Sequence, residues 1–324
     1  MRIPRALSFV VFAGWVVLLA ATPYIGDNYT VRIAIQIAMF SALALSWNFI
    51  GGFTGYPSFA TAAFFGLGCY VGALTQLAGA PTVVAWIVAT VAVALFAAAL
   101  GLIILRLKGH YFAIGSIAIV EVLRLVISSW SSLTGGGNGL NVPFLRGGPE
   151  FVSQLVLGVM LLIMLIAFAT TVWVDRGRLG FGLRCINQNE DAADMVGIDV
   201  TRYKIAAFVL SAFLCGTVGA VYASWVGYID PTDSFSILFT VKVAVMAILG
   251  GAGTVLGPVV GAAAFVVLEE YFWANFLAWN RAILGAIIVF LIFFLPGGIL
   301  RLDYRHLWAQ AKARHGRIGM AAGE

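Results

Sequence analysis

The hydrophobic positions of this chain form long, nearly continuous runs, which short polar or glycine-rich breaks separate. A helix of about 20 apolar residues is long enough to cross the hydrocarbon core of a membrane. The pattern therefore predicts an all-α polytopic membrane protein with about ten transmembrane helices, some of them short or broken. The predicted spans are 1–23, 32–50, 58–75, 81–105, 111–129, 151–174 and 203–226, two spans from the block 237–272, and 278–300.

The first apolar run follows Arg2 and Arg5, a pattern that also fits a cleaved signal peptide. Its length and the spans that come after it favour a retained first helix. The third run, 58–75, is dense in alanine and glycine, which allow neighbouring helices to approach closely. The run 237–249 corresponds to about 20 Å of helix. We expect a helix of that length to pack inside protein.

Two glycine-rich turns lie between apolar segments of similar layout, the kind of layout that an internal duplication produces in transporters. Glycine is the usual residue where the backbone turns sharply. The glycines of the two turns are Gly51, Gly52 and Gly55 after the second span, and Gly250, Gly251 and Gly253 within the block 237–272.

The segment 175–204 is the only long polar interruption of the apolar sequence. Within it we predict a two-turn helix over 190–196, since Asn189 is a good N-cap and Gly197 is a good C-terminal stop. Glu190 and Asp191 place negative charge in the first turn, where the helix dipole favours it. A helix this short needs a packing partner. The small residues expected to share its docking face are Ala192, Ala193 and Val196.

Basic residues cluster at the ends of apolar runs, where they decide the orientation of a membrane protein. The tail 301–324 is basic, and so is the N-terminus, so both ends are expected in the cytoplasm. An even number of spans follows, which favours dividing the block 237–272 in two. This orientation places the polar segment 175–204 and the turn at Gly250 in the cytoplasm, with one transmembrane domain over 1–300.

Composition supports the membrane assignment and narrows the function. The chain of 324 residues is 62% hydrophobic and 10% charged, a charged fraction far below that of a soluble domain. Its net charge of +5 reflects orientation in the bilayer and does not indicate nucleic-acid binding. Three cysteines without metal-ligand spacing indicate neither a disulfide framework nor a metal site.

Charged residues inside the predicted spans are candidates for function, because a charge within a membrane must face protein or water. Glu121 and Arg124 are three residues apart and are therefore neighbours on one helix face. Lys242 lies in the short span that begins at residue 237. These charges either neutralise one another and fix helix packing, or they belong to a substrate path or gate.

No motif for catalysis, phosphate binding or metal binding occurs in the sequence. No enzyme activity, bound metal or cofactor of its own is therefore expected. His110, His306 and His315 stand apart near predicted cytoplasmic ends and are interpreted as interfacial residues. Energy for uphill transport would then come from an ion gradient or from another subunit.

Several segments together resemble the branched-chain amino acid permeases of ABC importers, the LivM/LivH family, and most closely its LivM-like branch. Asp191, Ala192 and Ala193, followed after three residues by Gly197, resemble the cytoplasmic EAA-type loop that docks on the ATPase subunit. Two positions depart from the family pattern: Ala60 and Thr61 stand where members often carry Gly-His, and Asp191 stands where the motif begins with Glu. The matching segments are 45–70, 106–126, 132–140, 177–204 and 248–262.

The resemblance implies a permease subunit in the bacterial inner membrane, with 175–204 as its coupling loop. It implies a LivH-like second permease, two ATPase subunits that bind ATP, and a periplasmic substrate-binding protein. Leucine, isoleucine and valine are the expected substrates; urea, short amides and other amino acids are alternatives on the same framework. A self-sufficient channel, carrier or membrane-embedded enzyme is the competing class, and co-purification with an ATPase would discriminate between them.

Overall fold

The computed structural model describes residues 5–145 and 147–275, together with Gly285, Gly298 and Ile299. The predicted span 278–300, apart from those three residues, and the tail 301–324 lie outside the described residues. In the described part almost every element is a helix. The helices are α1 Arg5–Ile25, α2 Asn28–Trp47, α3 Thr61–Leu77, α4 Thr82–Ile104, α5 His110–Ser129, α6 Ser131–Thr134, α7 Pro149–Arg176, α8 Arg178–Gln188, α9 Glu190–Met195, α10 Val200–Val226, α11 Pro231–Ser234, α12 Ile237–Gly250 and α13 Gly257–Asn275.

The all-α polytopic fold that the apolar runs predict is confirmed. Six helical segments of the described chain are long and apolar enough to cross a membrane, and α3 and the part of α1 from Phe9 are shorter apolar helices. The helix α12 has 14 residues, which agrees with the short span expected from residue 237. The total of about ten spans stays a prediction. The six segments are Asn28–Gly52, Thr82–Ile104, His110–Ser129, Pro149–Arg176, Val200–Val226 and Pro231–Gly250.

The helix α2 lies at the centre of the bundle, packed against α1, α7, α10, α12 and α13. Of its most apolar 18-residue window, 89% is buried, the largest share among the six segments. Helix α1 is held to α7 by the stacked rings of Phe12 and Phe168, whose centroids are 3.7 Å apart. A helix so fully enclosed by protein is available to carry polar groups that lipid would not tolerate.

Small residues bring α3 and α10 into close contact, as the composition of the third run predicts. A Cβ atom added to Gly68 would lie 2.3 Å from the carbonyl oxygen of Gly216, and one added to Gly219 would lie 2.2 Å from that of Phe65. The thiol of Cys69 donates a hydrogen bond to the Gly219 carbonyl at 3.1 Å. Side chains larger than hydrogen at these glycines would therefore force the two helices apart.

The two glycine turns meet at one end of the bundle, where the side chain of Asn48 joins them. The helix α2 continues after Trp47 as a π-helical turn over Asn48–Gly52. The Gly253 amide donates to Asn48 Oδ1 at 2.7 Å, and Asn48 Nδ2 donates to the Thr254 carbonyl at 2.9 Å. Because Asn48 is fully buried, these two bonds satisfy a polar group that has no access to water.

At the opposite end of the bundle, the loop after α5 is closed by short elements that the sequence does not predict. A 3₁₀ turn over Gly136–Asn138 leads into β1, Leu140–Asn141. This strand pairs antiparallel with β2, Tyr228–Ile229, with Leu140 opposite Ile229. The pairing satisfies backbone groups in a segment that is too irregular to lie in lipid.

The junction of the two turns leaves no room for a methyl group at Gly52. A Cβ atom there would lie 1.8 Å from Asn48 Oδ1 and 2.5 Å from the Gly253 nitrogen. We expect Gly52→Ala to destabilise the purified protein by about 1–3 kcal/mol, the usual effect of overpacking. The measurement is the apparent melting temperature in detergent.

Gly158→Ala is the matched control, because a Cβ atom at Gly158 in α7 meets no atom within 4 Å. Alanine favours a helix over glycine by up to about 1 kcal/mol, so the control should be unchanged or slightly more stable. Equal melting temperatures for Gly52→Ala and wild type would contradict the close junction.

Candidate functional site

The polar segment 175–204 folds into two helices, α8 and α9, beside the junction of the glycine turns. The predicted helix over 190–196 is confirmed, since α9 spans Glu190–Met195. The helix α8 is not predicted, although its sequence contains a signal for it. Its buried residues recur at helical spacing and are Gly180, Leu183 and Ile186, with Gly182 beside them.

Both ends of α9 are closed by the residues that the sequence indicates. The Ala192 amide donates to Asn189 Oδ1 at 3.0 Å, so Asn189 is the N-cap. At the other end Gly197 has a φ of +86°. Its amide donates to the Asp194 carbonyl at 2.9 Å and the Ile198 amide donates to that of Ala193 at 3.1 Å, the hydrogen-bond pattern of a Schellman motif.

The expected docking face of α9 is wrong in one respect. Ala193 is only 2% exposed and belongs to the hydrophobic core, so it packs inside this chain and not against a partner. Ala192 is exposed, and so are Met195 and Val196. Which face of so short a helix is covered depends on the side of it on which the other helices lie. Helix periodicity alone does not reveal that side.

The more buried of the two ion pairs that attach α9 to the bundle joins Glu190 to Lys204 of α10. Lys204 Nζ lies 2.8 Å from Glu190 Oε1, and the lysine side chain is 2% exposed. The Tyr56 hydroxyl donates to Glu190 Oε2, and Lys204 Nζ lies 4.4 Å from the centre of the Tyr56 ring. Lys204 Nζ also lies 3.5 Å from the Leu105 carbonyl, at the end of α4.

These contacts decide the charge state of the site. Burial raises the pKa of Glu190, but the hydrogen bonds from Lys204 and Tyr56 outweigh it, so the pKa lies below its ordinary value of 4.5. Burial, followed by the hydrogen bond to Glu190, raises the pKa of Tyr56 well above 10.0. At neutral pH Glu190 is therefore an anion and Tyr56 a neutral donor.

Two further contacts attach this region to other parts of the bundle. Lys108, between α4 and α5, pairs with Asp191 at 2.8 Å, and its hydrogen bond lowers the pKa of that carboxyl. Asn187 Nδ2 donates to the carbonyls of Gly52 and Phe53 at 3.4 and 3.3 Å. The middle of the segment is thus connected to two turns that follow membrane-length helices, the one between α4 and α5 and the first glycine turn.

Gly55 lies against the same asparagine. It has a φ of +72°, and a Cβ atom there would lie 2.7 Å from Asn187 Oδ1. Asp175, the first residue of the segment, pairs with Arg184 of α8. The Arg184 guanidinium carbon lies 5.6 Å from the centre of the Phe53 ring. The first glycine turn is therefore in contact with α8, a contact that the sequence does not predict.

The predicted charges within the spans form pairs of two kinds. Glu121 and Arg124 pair within α5, with Arg124 Nε 3.0 Å from Glu121 Oε2. Lys242 of α12 pairs with Glu269 of α13 at 2.5 Å and lies 4.3 Å from the centre of the Phe40 ring in α2. Lys242 and Glu269 thus link α12, α13 and α2, as packing charges would, whereas the described contacts of Glu121 and Arg124 stay within α5.

Within the described residues, no group of three or more histidine, cysteine or acidic side chains could hold a metal ion. Cys69 and Cys215 are buried and Cys185 is partly buried, and none of the three forms a disulfide. The contacts that the described residues of the site do form are ion pairs and hydrogen bonds between the polar segment and the ends of the long helices.

Apolar helices of membrane-spanning length, with a capped polar helix fixed at one end of their bundle, define a multi-pass integral membrane protein. The chain belongs to the family described as branched-chain amino acid transport system, permease component, whose profile matches residues 29–292. The resemblance found in the sequence segments is thereby confirmed.

Several proteins named as transport-system permeases are similar to this chain. The chain is 27% identical over 315 residues to the high-affinity branched-chain amino acid permease LivM of Escherichia coli K12, covering 88% of this chain and 73% of that protein. It is 23% identical over 197 residues to LivH of Salmonella typhimurium, covering 57% and 63%. The autoinducer 2 import permease LsrC of Klebsiella pneumoniae is 30% identical over 176 residues, covering 52% and 47%. No solved structure matches the chain.

The Glu190–Lys204 pair generates a prediction. Lys204→Met leaves the Glu190 carboxylate partly buried without its cation, and breaking a buried pair typically costs roughly 3–5 kcal/mol. We expect a clear fall in the apparent melting temperature, and a partial recovery when Glu190→Gln is added. Thermal unfolding in detergent at neutral pH measures both effects.

Lys108→Met is the control, because Lys108 and Asp191 are exposed to 63% and 82% and such surface pairs contribute little. A larger effect of Lys108→Met than of Lys204→Met would show that α9 is held mainly from its outer side.

Proposed function

We propose that this chain is a transmembrane subunit of an ABC importer that moves branched-chain amino acids across the bacterial inner membrane. The family match over residues 29–292 carries this proposal. Relatives named LivM and LivH both match the chain, which supports pairing with a LivH-like second permease. Two ATPase subunits and a periplasmic substrate-binding protein complete the proposed complex. In this arrangement the chain performs no chemical step, and ATP is bound by its partners.

The surface proposed to bind the ATPase consists of apolar side chains on the polar segment. Met195 at the end of α9 and Val196 directly after it are 82% and 75% exposed, and Phe181 on α8 is 68% exposed. Such residues on a segment that is too polar for the membrane are typical of a protein contact. Ala192 lies beside them and leaves room for close approach.

A push on α9 would reach the bundle through the contacts already described. The Glu190–Lys204 pair leads to α10, and Lys108 leads to the turn between α4 and α5. The bonds from Asn187 lead to the first glycine turn and, through Asn48, to the second. Chains of packed side chains, hydrogen bonds and ion pairs can carry displacement between sites, and we infer that the buried Glu190–Lys204 pair is the main route by which α9 couples ATP hydrolysis to helix movement.

The function is tested by reconstituting the chain with its permease partner, ATPase subunits and binding protein in proteoliposomes. We expect ATP-dependent uptake of leucine, isoleucine and valine. ATP-dependent uptake of urea, short amides or other amino acids instead would replace the substrate class. Uptake without any ATPase subunit would contradict the ABC mechanism.

The docking surface is tested in the same preparation with Met195→Glu and Val196→Glu. An acidic group buried in an apolar contact is costly, so each change should reduce ATPase co-purification and uptake by at least about tenfold. Thr201→Glu is the control, because Thr201 is exposed nearby at the start of α10, where a helix favours an acidic group. Full assembly with both glutamates present would place the docking surface elsewhere.

We also propose that α8, α9 and both glycine turns face the cytoplasm, as the distribution of basic residues favours. In a chain whose native cysteines are replaced, Met195→Cys should react with an impermeant thiol reagent only from the cytoplasmic side. Asn138→Cys, in the exposed loop at the opposite end, should react only from the outside. Reaction of both from one side would contradict this orientation.

A further inference from the structure

The helix α5 is the least covered of the six membrane-length segments, with 22% of its most apolar window buried. Its buried positions, Phe112, Ser116, Val120 and Ile127, follow one face of the helix. A second face is exposed and apolar and therefore suits lipid. The exposed residues of that face are Tyr111, Ile114, Val122 and Leu125.

Between these two faces lies a third sector, which we call the polar sector. It contains His110, Glu121, Arg124 and Ser128, with Ile117 among them. At 3.6 residues per turn these five positions fall within an arc of about 60°. From Ile117 to Ser128 the residues of this sector are partly exposed, so the described part of the chain does not cover them fully.

The charges of this sector lie near the middle of α5, a helix long and apolar enough to cross a membrane. Glu121 is 11 residues after the first residue of α5 and 8 before its last, which places it about 16 Å and 12 Å from the two ends. The side chains of Arg124 and Glu121 are 34% and 39% exposed. Charges at this depth face water or protein and not lipid. The polar sector must therefore border an aqueous space or another protein surface.

The pair is unsuited to fixing helix packing. Both partners belong to α5, so their bond connects no other helix, in contrast to Lys242 and Glu269, which join α12 to α13. Arg124 and Glu121 can also form further hydrogen bonds while they remain paired. A guanidinium has five N–H donors, and the Arg124 bonds to Glu121 use two of them. The remaining donors can bind a carboxylate, and the Glu121 oxygens can accept from an ammonium group.

We propose that the polar sector of α5 lines a water-filled passage, in which Glu121 and Arg124 bind the zwitterionic backbone of the transported amino acid. This inference rests on the proposed import of amino acids and specifies where the substrate is bound within the membrane. The α-carboxylate binds Arg124 and the α-ammonium binds Glu121, so each charge of a zwitterion that has left bulk water meets its opposite. The aliphatic side chain of the substrate then lies along apolar residues such as Ile117.

The passage is tested by cysteine modification in the complete reconstituted importer, with the three native cysteines replaced by alanine. A charged, membrane-impermeant methanethiosulfonate reagent should modify Ile117→Cys and Ser128→Cys. Their neighbours on the apolar face, Ala118→Cys and Leu125→Cys, should react at least about tenfold more slowly, because the reactive thiolate forms only in water. Leucine should slow the modification of Ile117→Cys.

Two results would overturn the passage. Slow modification of Ile117→Cys and Ser128→Cys would show that protein, and not water, covers the polar sector. Equal modification of all four cysteines would show that α5 does not separate water from lipid.

The substrate contact is tested with Glu121→Gln and Arg124→Gln, which keep polar side chains of similar size. Each should lower leucine uptake by about tenfold or more, as expected for losing a hydrogen bond to a charged group, while ATPase co-purification stays unchanged. Wild-type uptake rates in both variants would overturn the contact, and loss of assembly in both would assign the pair a structural role.

The wild-type importer separates this inference from the proposed function. If it transports leucine with ATP while the modification pattern fails, only the passage along α5 is wrong. If it transports an uncharged solute and no amino acid, both the substrate class and the zwitterion contact are overturned.

Discussion

A charge that leaves water needs a partner of opposite sign, and the cytoplasmic end proposed for this protein is arranged around that constraint. Lys204 is almost fully buried, and the carboxylate of Glu190 compensates its charge at 2.8 Å. Because Glu190 belongs to α9 and Lys204 to α10, satisfying the charge also fixes the position of α9. Tyr56 closes the group from the side of the first glycine turn. The requirement that the buried charge of Lys204 be compensated thus fixes the position of α9, the proposed docking helix.

Close packing of small residues supplies the complementary constraint inside the bundle. Glycines bring the backbones of α3 and α10 together, and most residues of the neighbouring α2 are buried. Interiors packed this densely deform little and move as units. Displacement of α10 would therefore carry α3 with it. The sparsely covered α5 is the exception, and its freedom to face a passage follows from the same distribution of contacts.

Local signals in the sequence predict much of this structure, and contacts between distant residues explain what they miss. Asn189 and Gly197 mark the ends of α9 because capping depends on residues within one turn. The burial of Ala193 depends on the side of α9 on which the other helices lie, and no local sequence pattern reveals that side. The contact of Lys204 with Tyr56 joins positions 148 residues apart, and neither residue type signals it. The paired charges of α5 are visible in the sequence, whereas only the fold shows that, among the described residues, their ion pair stays within one helix.

The hydrogen bond between Asn48 and Gly253 has a consequence for folding during synthesis, because 205 residues separate the two partners. At ordinary synthesis rates of about 5–20 residues per second, the Asn48 side chain emerges roughly 10–40 s before its partner exists. During that interval a polar amide near the end of α2 must find water or a temporary partner. The junction of the two glycine turns can therefore form only after the second turn has been synthesised, so the end of α2 reaches its final hydrogen bonding late in synthesis.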